Sequence, residues 1–119
     1  MTMGQYFYIV NLDLREYLNP INLGCGMKLW EIAANPCLNV LAFLLRKSSE
    51  GGGGDIQKPY ANAGRWADSR IAIVGDYDES EIYQQCNSGL YEEITDKIRE
   101  EWNDFIEIND LKISCKTLA

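Results

Sequence analysis

The chain contains no histidine, and that absence closes several chemistries together. Without imidazole there is no Ser-His-Asp or Cys-His triad, no histidine-based zinc site and no imidazole acid-base catalysis. Close cysteine pairs are missing as well: Cys25, Cys37, Cys86 and Cys115 stand apart, with no Cys-x-x-Cys motif. Structural zinc sites usually draw their ligands from close pairs, so four scattered thiolates do not point to a metal, and no cofactor is expected. A chain with this much apolar composition does not need disulfide staples, so reduced, mostly buried thiols are expected. No apolar run approaches the ~20 residues of a membrane-spanning helix, and no basic patch followed by an apolar stretch opens the chain. The expectation is a soluble, cytoplasmic protein with no membrane partner.

What is present fits one globular domain over residues 1–119. The composition is 46% hydrophobic and 24% charged, and three Trp, seven Tyr and three Phe can fill a core. The net charge of −7 is unevenly distributed. Residues 1–60 carry five basic and five acidic side chains, whereas residues 61–119 carry six basic and thirteen acidic. An acidic protein is repelled by phosphate backbones, which disfavours direct nucleic-acid binding and permits a basic partner.

Gln5-Tyr6-Phe7-Tyr8-Ile9-Val10-Asn11-Leu12 is aromatic and β-branched without polar alternation, which predicts a central strand covered on both faces. Asn19-Pro20 and Gly24-Cys25-Gly26 mark a loop. Met27 to Ala34 has helical composition, and Asn35-Pro36 starts a second helix, Cys37 to Lys47, apolar nearly all round. Four glycines, Gly51 to Gly54, then precede Asp55. A phosphate-binding loop would follow a strand, end in Gly-Lys-Ser/Thr and open a helix, and this run does none of these. As a domain linker it leaves too little core on either side. It reads as a helix end needing positive φ followed by a surface loop, with a ligand-closing loop around Asp55 as the alternative.

Arg70 to Gly75 forms a second strand, which ends in the acidic run Asp76-Tyr77-Asp78-Glu79-Ser80-Glu81. Counted from Asp76, positions six and twelve hold Glu81 and Asn87 where an EF-hand needs Gly and Glu, so the calcium-loop match fails. Trp66 upstream reads as a core anchor. From Leu90 to Ile106 a helix is expected, with Tyr91, Ile94, Ile98, Trp102 and Phe105 as its apolar stripe. Glu92, Asp96, Glu100, Asp104 and Glu107 make an acidic stripe on another face, widened by Glu93 and Glu101. Like charges four residues apart cost roughly 0.2–0.5 kcal/mol per pair, so these acids read as tolerated by the helix and not used to hold it. Mimicry of duplex DNA would need the acidic turn at 76–81 alongside, because one helix stripe is far less dense than ~1.7 Å per charge. Leu111 to Cys115 alternates and could add an edge strand.

Several motifs recur as a set: Met3-Gly4-Gln5-Tyr6-Phe7, Val10-Asn11-Leu12-Asp13, Glu16-Tyr17-Leu18-Asn19-Pro20, Gly24-Cys25-Gly26-Met27-Lys28-Leu29, the Gly-Gly-Gly-Asp ending at Asp55, and Trp66-Ala67-Asp68-Ser69-Arg70-Ile71 with Gly75-Asp76-Tyr77. Over roughly residues 3–78 the chain resembles a family of small uncharacterised bacterial and phage proteins. The resemblance implies Met3 as the natural start and a phage association, and it carries no activity; the acidic stretch beyond residue 80 lies outside it.

The expected fold is α+β: a small sheet of two to three or more strands, two consecutive helices and a C-terminal amphipathic acidic helix. The expected function is non-enzymatic docking of a basic partner protein through Asp76, Asp78, Glu79, Glu81, Glu92, Glu93, Asp96, Glu100, Glu101, Asp104 and Glu107. With the phage association, that partner could be a nucleic-acid-binding host defence complex, which the protein would inhibit. The rival class is a small-molecule binder or small enzyme with a site near Asp55, Arg70 and Asp76, drawn from the polar groups Asp13, Arg15, Glu16, Asp55, Asp68, Arg70 and Asp76. Such a site would have to use carboxylates, Tyr or Cys for proton transfer, and no catalytic spacing identifies a residue. A structural domain with no separate ligand is the third possibility.

Overall fold

In the computed structural model, which describes residues 4–108, the aromatic run near the N-terminus becomes strand β1 (Phe7–Asn11) at the centre of a sheet. Its neighbours are β2 (Glu16–Leu18) on one side and β3 (Ile71–Gly75) on the other, both antiparallel to it. The order is β3-β1-β2-β4, where β4 (Glu92–Glu93) pairs parallel with β2. The fold is α+β.

Alternation along β1 sends its side chains into two cores. Tyr8 and Val10 join Tyr17 and Val74 under α3 (Ile82–Asn87), whose Tyr83 stacks on Tyr8 at 4.2 Å between ring centroids. Ile9 points the other way, into a larger core with Leu18, Leu23, Ile32, Phe43, Trp66, Ile98 and Trp102. Helices α1 (Leu29–Ala34), α2 (Val40–Leu44) and α4 (Thr95–Ile108) contribute to that second core. Burial on both faces is why β1 can be apolar without alternation, and full burial of Ile9 alone contributes roughly 1.5–3 kcal/mol.

Several expectations are corrected. The helix expected from Leu90 starts at Thr95, because the Glu92 N–H bonds the Arg15 carbonyl and the Ile94 N–H bonds that of Tyr17, which holds the chain extended. Tyr91 accordingly packs with the α3 core, and the apolar stripe of α4 begins at Ile94. The second early helix divides into a 3-10 turn over Pro36–Asn39 and the shorter α2, which ends at Leu44. The glycine run therefore does not cap a helix; of its four residues only Gly54 has positive φ, at 83°. Reduced thiols were expected, yet Cys25 and Cys37 form a disulfide with Cα atoms 6.2 Å apart. The bond clips the turn after Pro20–Leu23 to the one after α1, and a closed loop of this size contributes about 3 kcal/mol in the chain-entropy picture. Cys86 is a free, buried thiol. The strand expected over Leu111–Cys115 lies outside the described residues.

Candidate functional site

The chain route through the sheet separates the acids that the sequence sets close together. Gly75, where β3 ends, pairs with Phe7, whereas Glu92 pairs with Glu16, which pairs with Asn11 at the other end of β1. From β3 to β4 is three strand spacings, about 14 Å, and from Phe7 to Asn11 is about 13 Å, so the two acidic segments sit about 19 Å apart at diagonal corners. Helix α3 crosses one face of the sheet between them, and α4 packs on the opposite face. Asp76 to Glu107 is therefore two acidic regions and not one surface.

The α4 region is largely tied into the fold. Glu101 accepts from the backbone N–H of Asn62 at 2.9 Å and from its side-chain amide at 2.6 Å. Asp104 accepts from Tyr60 at 2.7 Å and from Lys58 at 3.0 Å, and these donors hold its carboxyl below the usual range. Asp96 pairs with Arg99 at 3.2 Å, Glu92 with Lys97 at 3.4 Å, and Glu93 accepts from Asn22 at 2.7 Å. Glu100 and Glu107 are exposed. The acids expected to be merely tolerated by the helix thus include two that fasten residues 58–62 onto it.

The β3 corner is wired differently. Asp76 accepts from the Tyr6 N–H at 3.1 Å, and Asp78 accepts from the Ser80 N–H at 3.0 Å and from its hydroxyl, which holds the Asp78 carboxyl below the usual range. Both acids remain open to solvent on their other sides, and Glu79 and Glu81 have no side-chain partner among the described residues. Glu81 also sits at φ 65°, a left-handed conformation that costs a non-glycine residue roughly 1–2 kcal/mol. Beside this corner a cavity of about 390 Å³ runs along β3 and is lined by residues on both faces of the sheet, among them Phe7, Ile73, Val74, Asp78 and Ile82.

Asp55, Arg70 and Asp76 do not converge. Arg70 and Asp76 flank opposite ends of β3, and Arg70 is engaged by Asp13 at 2.7 Å. Asp55 is gripped by Arg46 through two bonds of 2.6 Å, which with its own bond from the Ile56 N–H lower its pKa to about 2. Arg46 also donates to the Ser48 and Glu50 carbonyls, so it staples the base of the glycine loop. A second cavity of about 210 Å³ lies there, between Phe43, Ile56 and Phe105 with Arg46 and Asp55 at its rim.

Glu16, expected among the polar groups of a ligand site, is instead a buried ionic group of the fold. Glu16 is 6% exposed, and it accepts from Arg65 and from the Trp66 indole at 2.9 Å. Arg65 in turn donates to Asn62, which leads on to Glu101, so β2, residues 62–66 and α4 share one network. The Arg65 bond holds the Glu16 carboxyl below its ordinary value against the opposing push of burial. The apolar alternation around Glu16 gave no hint of this, and only the Arg65-Trp66 pair downstream supplied matching donors. The network lines neither of the two cavities described above, and its bonds tie three parts of the chain together, which marks it as a fold element.

Burial pushes the Cys86 thiol up to about 12, so it is not an activated nucleophile. Among the described residues no group of three or more Cys, Asp or Glu is placed to hold a metal ion, and no helix is long and apolar enough to cross a membrane. No family model, no curated protein and no solved structure matches the chain.

Proposed function

We propose that this is a non-enzymatic interaction protein that docks a basic partner protein through the acidic corner formed by Asp76, Asp78, Glu79 and Glu81. The carrying observation is that Glu79 and Glu81 have no internal partner among the described residues, with Glu81 kept where glycine would relieve backbone strain. Left-handed strain at an exposed, unpaired carboxylate supports a role for Glu81 outside the chain. The α4 region is not part of this corner: Glu92 and Asp96 are paired with Lys97 and Arg99, and Glu101 and Asp104 serve the fold. With the phage resemblance over residues 3–78, the partner this reading favours is a basic nucleic-acid-binding surface of a host defence complex, which docking would block.

Wild type and a Glu79→Lys/Glu81→Lys variant, immobilised in parallel and exposed to host extract at low and high salt, test the proposal. Retention of a basic protein by wild type alone, and its release at high salt, is the expected result, since exposed pairs are screened over ~8–10 Å. Identical retention by both proteins would remove the reading. A second reading has one specific observation in its favour, the aromatic-floored cavity at Arg46 and Asp55. A small molecule bound there would raise the melting temperature by mass action, and Phe43→Ala would abolish the rise.

A further inference from the structure

The antiparallel pairing of β3 with β1 fixes which of its backbone groups point outwards. The Leu12 N–H bonds the Arg70 carbonyl and the Asp76 N–H bonds the Tyr6 carbonyl, each at 2.9 Å. Antiparallel bonding alternates, so Ala72 and Val74 exchange bonds with β1, the Arg70 carbonyl and the Asp76 N–H each complete one bond at the ends of the ladder, and Ile71, Ile73 and Gly75 direct theirs to the free edge. The Gly75 carbonyl is taken by the Asp78 N–H. The N–H and carbonyl groups of Ile71 and Ile73 and the N–H of Gly75 have no protein partner among the described residues.

Natural sheets protect such edges with lysine, proline, bulges or covering segments. Within Ile71-Ala72-Ile73-Val74-Gly75 there is no charge and no proline, and Ile73 is 38% exposed. The cavity of about 390 Å³ lies along this edge and draws its walls from both faces of the sheet. A side-chain pocket opens on one face; space on both faces of an edge suits an added strand, whose side chains alternate up and down. Asp78 lines one end of that space.

We infer that the β3 edge receives an extended segment of the partner as a fifth strand, with a lysine or arginine of that segment lying over Asp78, Glu79 and Glu81. The inference rests on the docking reading above and names the form of the partner: an alternating apolar segment ending in basic residues. Main-chain bonds to Ile71, Ile73 and Gly75 supply the pairing, and the acidic corner selects the sign of the flanking charge.

The test uses a fluorescein-labelled heptapeptide of alternating valine and threonine ending in two lysines, and a second peptide ending in two glutamates, with binding read by anisotropy. Wild type should bind the lysine form about tenfold more tightly at low salt, a difference that salt erodes. Ile73→Pro removes an outward N–H without touching the β1 ladder, and Ile73→Lys adds the missing guard. Both should lose the lysine peptide, with far-ultraviolet circular dichroism showing an unchanged fold, so that failure of the proline variant to fold still leaves the lysine variant to decide. Binding that persists in both Ile73 variants overturns strand pairing and leaves the acidic docking reading standing. Equal binding of the two peptides, lost in both Ile73 variants, overturns the charge selection and the docking reading with it. A wild-type dimer that Ile73→Lys turns into monomer would give the edge to a second copy and overturn the inference.

Discussion

On α4, Glu101 and Asp104 receive four hydrogen bonds from residues 58–62, whereas at the β3 corner Glu79 and Glu81 receive none from other described side chains. Both regions are acidic and both lie in the half of the chain that carries the charge excess. Their difference is in the donors that surround them: Lys58, Tyr60 and Asn62 are brought under α4, and among the described residues nothing basic is paired with the turn after β3. Charge density therefore does not identify a docking surface.

The largest effect should come from the most internal acid. Glu16→Ala strips Arg65 and the Trp66 indole of their acceptor and should destabilise by about 3 kcal/mol, read from the urea midpoint. Glu101→Gln keeps shape but loses the charge that two Asn62 donors share, and about 1–2 kcal/mol is expected. If Glu101→Gln costs nothing, the α4 acids are no more structural than those of the turn, and the contrast collapses.

Acid titration sharpens the same contrast. Glu16 and Asp55 have folded pKa values depressed below their ordinary 4.5 and 3.8, so their stabilisation is complete above those values. It is lost as pH falls towards about 2, where Asp55 protonates. Glu16→Gln and Asp55→Asn should flatten the acid limb of a melting curve against pH. The smallest effect is expected at Glu81→Gly, which relieves the left-handed strain and should keep or slightly raise the melting temperature while weakening any basic partner.

Much of the architecture is legible because it rests on local pattern. The unbroken apolar run at Phe7–Asn11 announces a strand with two covered faces, and Ile94, Ile98, Trp102 and Phe105 announce one face of α4. Strands β2 and β4 are three and two residues long, and only their partners make them strands. The same long-range pairing holds Glu92 and Glu93 out of the helix that periodicity extends over them. The Cys25–Cys37 bond was likewise invisible, since spacing along the chain does not reveal which turns meet. At the candidate site, acidic residues could be read from composition, but their division into spent and unspent carboxylates depends on Asn62, Tyr60 and Lys58 arriving from a loop. The open edge of β3 depends on strand order, which no local pattern carries.

Amide hydrogen exchange along β3, with and without the lysine-ended peptide, tests the open corner most directly. Ala72 and Val74, bonded to β1, should exchange slowly in the free protein, while Ile71, Ile73 and Gly75 should exchange fast and become protected when the peptide binds. Protection of Ile73 already in the free protein, or its continued fast exchange in the peptide complex, would contradict the assignment of this edge and its acidic corner to a partner.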